Sequence, residues 1–190
     1  MHRALRLFAV VLVPTVAACD DPTDLIARSP TVHDTLSVYA LSGTDLTFPS
    51  ALNIPERTVL RATGTFNFDL GFDLDESGRI LLYPMRLLSS DLADVHQVGL
   101  QKVSTPFNDL ALAPSSGYNF DSTLVVVPNE TVAVQVAAPA YCGFPFPETV
   151  FAKLTVDSVN TTARRIHFRM TTGTIPNCGF RSFLPGIPTE

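Results

Sequence analysis

The sequence predicts an all-β domain, an antiparallel β-sandwich of about seven to nine strands, immunoglobulin-like or related, behind a signal peptide and a flexible tether. Three observations carry that expectation. From His33 onward, short apolar or alternating runs recur between Pro, Gly, Asn and Ser, the spacing of a sandwich or barrel. Only 16% of residues are charged, and Val, Thr and Phe are plentiful, which suits strands and not a disordered chain. Two stretches also fold into hairpins in which apolar residues face apolar ones. Tryptophan is absent, so the antibody-type core signature is missing.

At the amino terminus, Arg3 and Arg6 precede twelve mostly apolar residues, Leu7 to Ala18. That is the layout of a signal peptide, and the run falls short of the roughly 20 residues a spanning helix needs. Val16-Ala17-Ala18-Cys19 closes it. Two small residues before a cysteine resemble the lipobox of bacterial lipoproteins. The resemblance covers residues 1–19 and implies cleavage before Cys19, once its thiol has been joined to diacylglycerol. Val16 and Ala18 also satisfy the rule for ordinary signal cleavage, which would release a soluble secreted protein. The cysteine count favours the lipid: with Cys19 acylated, the other two of three, Cys142 and Cys178, form an even pair. At about 0.8 kcal/mol per buried methylene, several acyl chains make a lasting anchor.

The expected organisation is a signal peptide over 1–18, a lipidated cysteine and tether over 19–32, and one domain over 33–190. Two of the thirteen basic residues and no acid lie in residues 1–18, leaving eleven basic against eighteen acidic residues, a mature charge of −7. Only two of the basic residues are lysine, and none cluster, which excludes nucleic acid and a polybasic lipid patch as expected partners.

Along the domain, the first strand is expected over Asp34–Leu41, ending at Ser42-Gly43. A loop with Pro49 and Pro55 follows, then a strand over Arg57–Thr63. Phe66, Phe68, Leu70, Phe72 and Leu74 alternate with Asn67, Asp69, Gly71, Asp73 and Asp75, so each set shares a face. Glu76-Ser77-Gly78 fits a three-residue hairpin loop with Gly78 left-handed, pairing Leu74 with Ile80 and Phe72 with Leu82. A short helical turn is expected over Ser89–Val95 and a strand over Val95–Val103. Thr123–Val127 and Thr131–Ala137 read as a hairpin about Pro128-Asn129-Glu130. In the last hairpin, folding about Asn160 sets Val150 against Met170, Ala152 against Phe168 and Leu154 against Ile166. On its outer side, Thr155 meets Arg165 and Lys153 meets His167. The same register brings Cys142 opposite Cys178, predicting a disulfide formed in an oxidising compartment.

Candidate sites are sparse. Asp73-Leu74-Asp75-Glu76-Ser77-Gly78 resembles the opening of a calcium loop, making Asp73, Asp75 and Ser77 weak metal candidates. The position where an EF-hand has its twelfth-residue acid is Pro84, and a solvated hairpin tip explains the same residues. His33, His96 and His167 are isolated, and no serine sits in a G-x-S-x-G elbow. The two Cys-Gly-Phe elements would gather Tyr141, Phe144, Phe146, Phe180, Arg181 and Phe183 at one end. That is either an aromatic surface for a glycan or partner protein, or a satellite core around the bridge. The expected function is therefore a lipid-anchored extracytoplasmic module of the cell envelope, binding or structural and facing periplasm or exterior. Its partners would be the bilayer through Cys19 and an envelope protein or glycan. Neither enzymatic activity nor a cofactor is expected. The alternatives are an envelope hydrolase without a recognisable motif and a calcium-stabilised adhesion module.

Overall fold

The computed structural model describes residues 31–62, 67–89, 97–140, 142, 148–173 and 178–185. Residues 1–30, with the signal, Cys19 and most of the tether, lie outside them, as do Phe66, residues 90–95 of the expected helical turn, and His96. The strands in order are β1 (Thr31–Tyr39), β2 (Ala51–Asn53), β3 (Thr58–Leu60), β4 (Leu70–Leu74) and β5 (Ile80–Pro84). Then come β6 (Val98–Val103), β7 (Leu124–Val126), β8 (Thr131–Ala137), β9 (Thr149–Asn160) and β10 (Arg165–Gly173). They form two five-stranded antiparallel sheets, β1-β10-β9-β8-β6 and β3-β2-β4-β5-β7, packed as a sandwich. Ten strands are thus present among the described residues, against the seven to nine expected.

The first and last strands pair along their whole length, from Thr31 with Gly173 to Tyr39 with Arg165. This pairing recruits Thr31 and Val32, so β1 includes two residues before the expected domain start. It ends because the chain changes sheets: the Ala40 N–H donates to Arg164 O, and the next N–H, of Leu41, donates to Phe72 O across the sandwich. Between the sheets, Phe72 on β4 and Phe168 on β10 stack with ring centroids 5.0 Å apart, at the centre of a core of buried Leu, Val and Ile.

The β4–β5 hairpin has the expected register, with Leu74 opposite Ile80, Phe72 opposite Leu82, and Gly78 at φ +79°. Phe68 does not share the face of Leu70, Phe72 and Leu74. It packs with Ala51 and Met85 on the far side of that sheet, because regular strand begins only at Leu70. Asp69, expected outside, is buried, and its Oδ2 accepts the Ile54 N–H at 2.7 Å. A single 3₁₀ turn at Met85–Leu87 follows β5. Strand β2 falls in the stretch expected to be loop; three residues suffice because both neighbours, β3 and β4, hold it.

The expected hairpin of β7 with β8 does not form. β7 pairs with β5 in one sheet, and β8 lies between β6 and β9 in the other. Glu130 Oε2 accepts the Val127 N–H at 2.9 Å and meets the Lys102 ammonium at 2.7 Å, fastening the turn to β6 instead of closing it on β7. The β9–β10 register is four residues from the expected one: Met170 faces Leu154 and Thr172 faces Ala152. Asn160 opens the turn instead of centring it, its Oδ1 accepting the Ala163 N–H, and Arg164 closes it at φ +48°. An even slip leaves every side chain on its expected face. It does change partners, so Thr155 meets Arg169 and Lys153 meets Thr171. Cys142 and Cys178 are nevertheless bonded, with Cα atoms 5.5 Å apart. Past the ladder the chain makes a different contact, Gly179 N to Thr149 O.

These registers give the sandwich two unlike ends. Thr31, the disulfide and the ends of β8 and β10 lie at one; the turns after β1, β4, β7 and β9 lie at the other. Replacing Phe168 by Ala empties the centre where the sheets meet and should lower unfolding stability by about 3–5 kcal/mol, read as the loss in urea midpoint at unchanged slope.

Candidate functional site

The outer face of the β10-β9-β8-β6 layer carries the structure's least expected feature. Phe151, Lys153 and Thr155 point away from the sandwich core, as the alternation requires, yet none is open to water. A cover lies over them, made from residues 104–113 and the segment after the bridge. The two pieces pair as a short ladder: Ala113 N donates to Arg181 O, Phe183 N donates to Ala111 O, and Leu112 bridges Ser182. Alternation turns Ala113 and Phe183 inward, where they join Leu110 and Phe151 in a second apolar cluster. The disulfide belongs to a separate cluster with Ala138 and Val150.

Lys153 ties the cover down. It is 4% exposed, and its Nζ donates to Phe107 O at 2.7 Å and Leu110 O at 2.8 Å. The same ammonium lies 4.9 Å from the Phe107 ring centroid and 5.3 Å from that of Phe183. Ring faces and carbonyl oxygens both present negative charge, so together they replace part of the lost hydration. Burial still pushes the lysine below its ordinary pKa, with the charge of Asp109 acting the other way. Beside it, burial raises the Tyr118 phenol above its ordinary range, against the pull of Arg181.

Phe183 is therefore core, and Arg181 turns in to donate to Ala113 O at 3.0 Å. Phe180 is half-buried, while Tyr141, Phe144 and Phe146 lie outside the described residues. Among the described residues, Phe183 joins an apolar cluster with Leu110, Ala113 and Phe151 beside Lys153, while the bridge packs with Ala138 and Val150. Lys153 itself was placed outside by strand alternation alone. The available signal was the loop over 104–122, whose Phe107, Tyr118 and Phe120 need a surface to cover.

At the opposite end, Arg164 clamps three segments. Its Nε donates to Ser42 O at 2.7 Å, and its terminal nitrogen donates to Leu74 O at 2.7 Å and Asp73 Oδ1 at 3.1 Å. Asp73 Oδ1 also accepts the Ser42 hydroxyl and the Leu74 N–H. Asp75 accepts from the Ser77 hydroxyl, the Ser77 N–H and both the backbone and the guanidinium of Arg79. These donors, Ser77 first, hold its carboxyl well below the usual carboxylate range. Asp73 and Asp75 thus accept protein donors, the Ser77 hydroxyl is one of those donors, and among the described residues no three His, Cys, Asp or Glu side chains gather around one point. An open depression of about 300 Å³ lies between the 75–78 tip, Thr161 and Arg164.

Histidine meets hydroxyl twice across β1 and β10: His33 Nδ1 with the buried Thr171 Oγ1 at 2.8 Å, and His167 Nδ1 with Ser37 Oγ at 2.7 Å. Ser37 and His167 are direct cross-strand neighbours on a flat surface. Among the described residues no carboxylate hydrogen-bonds that imidazole, so the third member of a nucleophilic triad is missing from the pair. No protein-family model matches the chain, and no curated protein or solved structure matches it either.

Lysine that is harder to protonate when folded makes stability depend on alkaline pH. Between its lowered pKa and the ordinary 10.5, the unfolded chain binds more protons than the folded one, so stability from this residue rises with pH. The stability difference between the wild type and Lys153→Met, measured by urea titration, should therefore shift in favour of the wild type as pH rises through that window. A difference independent of pH would show that the ammonium is not desolvated.

Proposed function

We propose that the protein is a lipid-anchored module of the cell envelope, joined to a bilayer through acylated Cys19 and serving in binding or structure. The observation that carries this reading is the polarity of the fold. β1 begins at Thr31, twelve residues after Cys19, and runs directly away from the end where the bridge ties the chain. A nine-residue strand rises about 27 Å, so the far turns stand well clear of the point of attachment. Those turns are the surface offered to an envelope protein or glycan, with Leu46 82% exposed and Phe48 stacked on Tyr39 at 4.4 Å. A disulfide suits an oxidising compartment outside the cytoplasm.

Mass spectrometry of the protein taken from membranes of its host tests the anchor. The expected species begins at Cys19 and carries a diacylglyceryl thioether. Cys19→Ser should move the protein from the membrane pellet to the soluble fraction. A free Cys19 thiol in membrane-associated wild type would end this reading.

A further inference from the structure

The cover over Lys153 has an outward side as well as an inward one. The alternation that buries Ala113 and Phe183 leaves Leu112 and Leu184 exposed, 37% and 61% respectively. They lie on one short ladder whose outward side carries Leu112, Ser182 and Leu184, while Arg181 at its end turns inward to donate to Ala113 O. These two exposed leucines form a small apolar spot on a chain of net charge −5. Its position singles out what covers it. The Thr31 hydroxyl donates to the carbonyl of Phe183 at 3.1 Å, so Leu184 adjoins the residue at which the chain from Cys19 arrives. Twelve residues, fully extended, reach about 40 Å.

We propose that the Leu112–Leu184 face of the cover is a membrane-contact surface, its leucines seated at the headgroup–acyl boundary of the bilayer that holds Cys19. The proposal rests on the lipid-anchor reading. The anchor makes contact cheap: once the thioether holds the domain within a tether length of the lipid, a small apolar spot faces a high local concentration of bilayer. A second signal of this kind adds to the lipid chains without any basic patch, which the sequence lacks. The consequence is orientation. Seating Leu184 would fix which side of the sandwich faces the membrane and leave the turn bearing Leu46 in water.

Nitroxide labels on Leu184→Cys and, as a control, Leu46→Cys would test this in the full lipidated protein, reconstituted in phosphatidylethanolamine–phosphatidylglycerol vesicles. The expected result is collision with oxygen several-fold above collision with a water-soluble nickel chelate at residue 184, and the reverse at residue 46. Equal nickel access at both positions overturns the proposal. So does dipolar broadening between labels at residue 184, which would mean that a second copy covers the face. Mass analysis of the same sample separates the two readings. A diacylglyceryl Cys19 with a water-exposed residue 184 removes this inference alone, whereas an unmodified Cys19 removes the anchor and this inference with it.

Discussion

The cover over the outer face of β9 is held in place by one ammonium group. Lys153 hangs residues 107–110 from the outer face of β9 through two carbonyl bonds, and those residues in turn position the ladder that carries Phe183 and Leu184. A buried charge is an unusual choice for such a task. Desolvating it costs several kcal/mol, and two carbonyls with two ring faces must offset most of that. An apolar side chain would pack without the cost, but it would leave the Phe107 and Leu110 carbonyls unpaired, at about 1–3 kcal/mol each where buried. Direction is what the lysine adds. Hydrophobic contact holds a loop down, while a donor fixes which two carbonyls sit over the strand.

The disulfide and the lysine act on the same segment from its two sides. Cys178 begins the stretch that pairs with 111–113, and Cys142 fixes it beside the start of β9. Held covalently at one point and by hydrogen bonds a few residues later, the 178–184 segment has little freedom left to lose when it docks. The bridge thus serves the cover more directly than it serves the main core, to which it contributes neither sulfur.

Much of the fold was legible because strand alternation has a period of two. The last hairpin shows how far that reaches. Its expected register was wrong by four residues, yet Ala152, Leu154, Val156, Ile166, Phe168 and Met170 all point into the core, since an even slip preserves faces. What the period cannot supply is the choice of neighbour. β7 and β8 look like a hairpin locally and separate into different sheets, because Lys102 on β6 holds the intervening turn through Glu130. Nor can the period tell an outer face in water from one beneath a loop. That distinction hid Lys153, and it also left open whether Phe183 was surface or satellite core; it is buried. The candidate site was therefore less legible than the fold: it depends on contacts between segments tens of residues apart, with no local pattern to announce them.

Pairing the first strand with the last has a further consequence for what the molecule can do. It brings the start of β1, the end of β10 and the bridge to one end, so that covalent closure, the apolar ladder and the strand to which the proposed anchor leads share a neighbourhood. The other end is built differently: Arg164, Asp73 and Asp75 consume polar groups in holding turns together, and the exposed side chains there, Leu46 and Phe48 among them, belong to the loop after β1. A domain held by the proposed lipid anchor would gain from that division. Under that reading, sequence change at the remote turns would alter what they present without touching the residues that fix the domain, and rigid strands between the two ends would keep those turns at a set distance from Cys19.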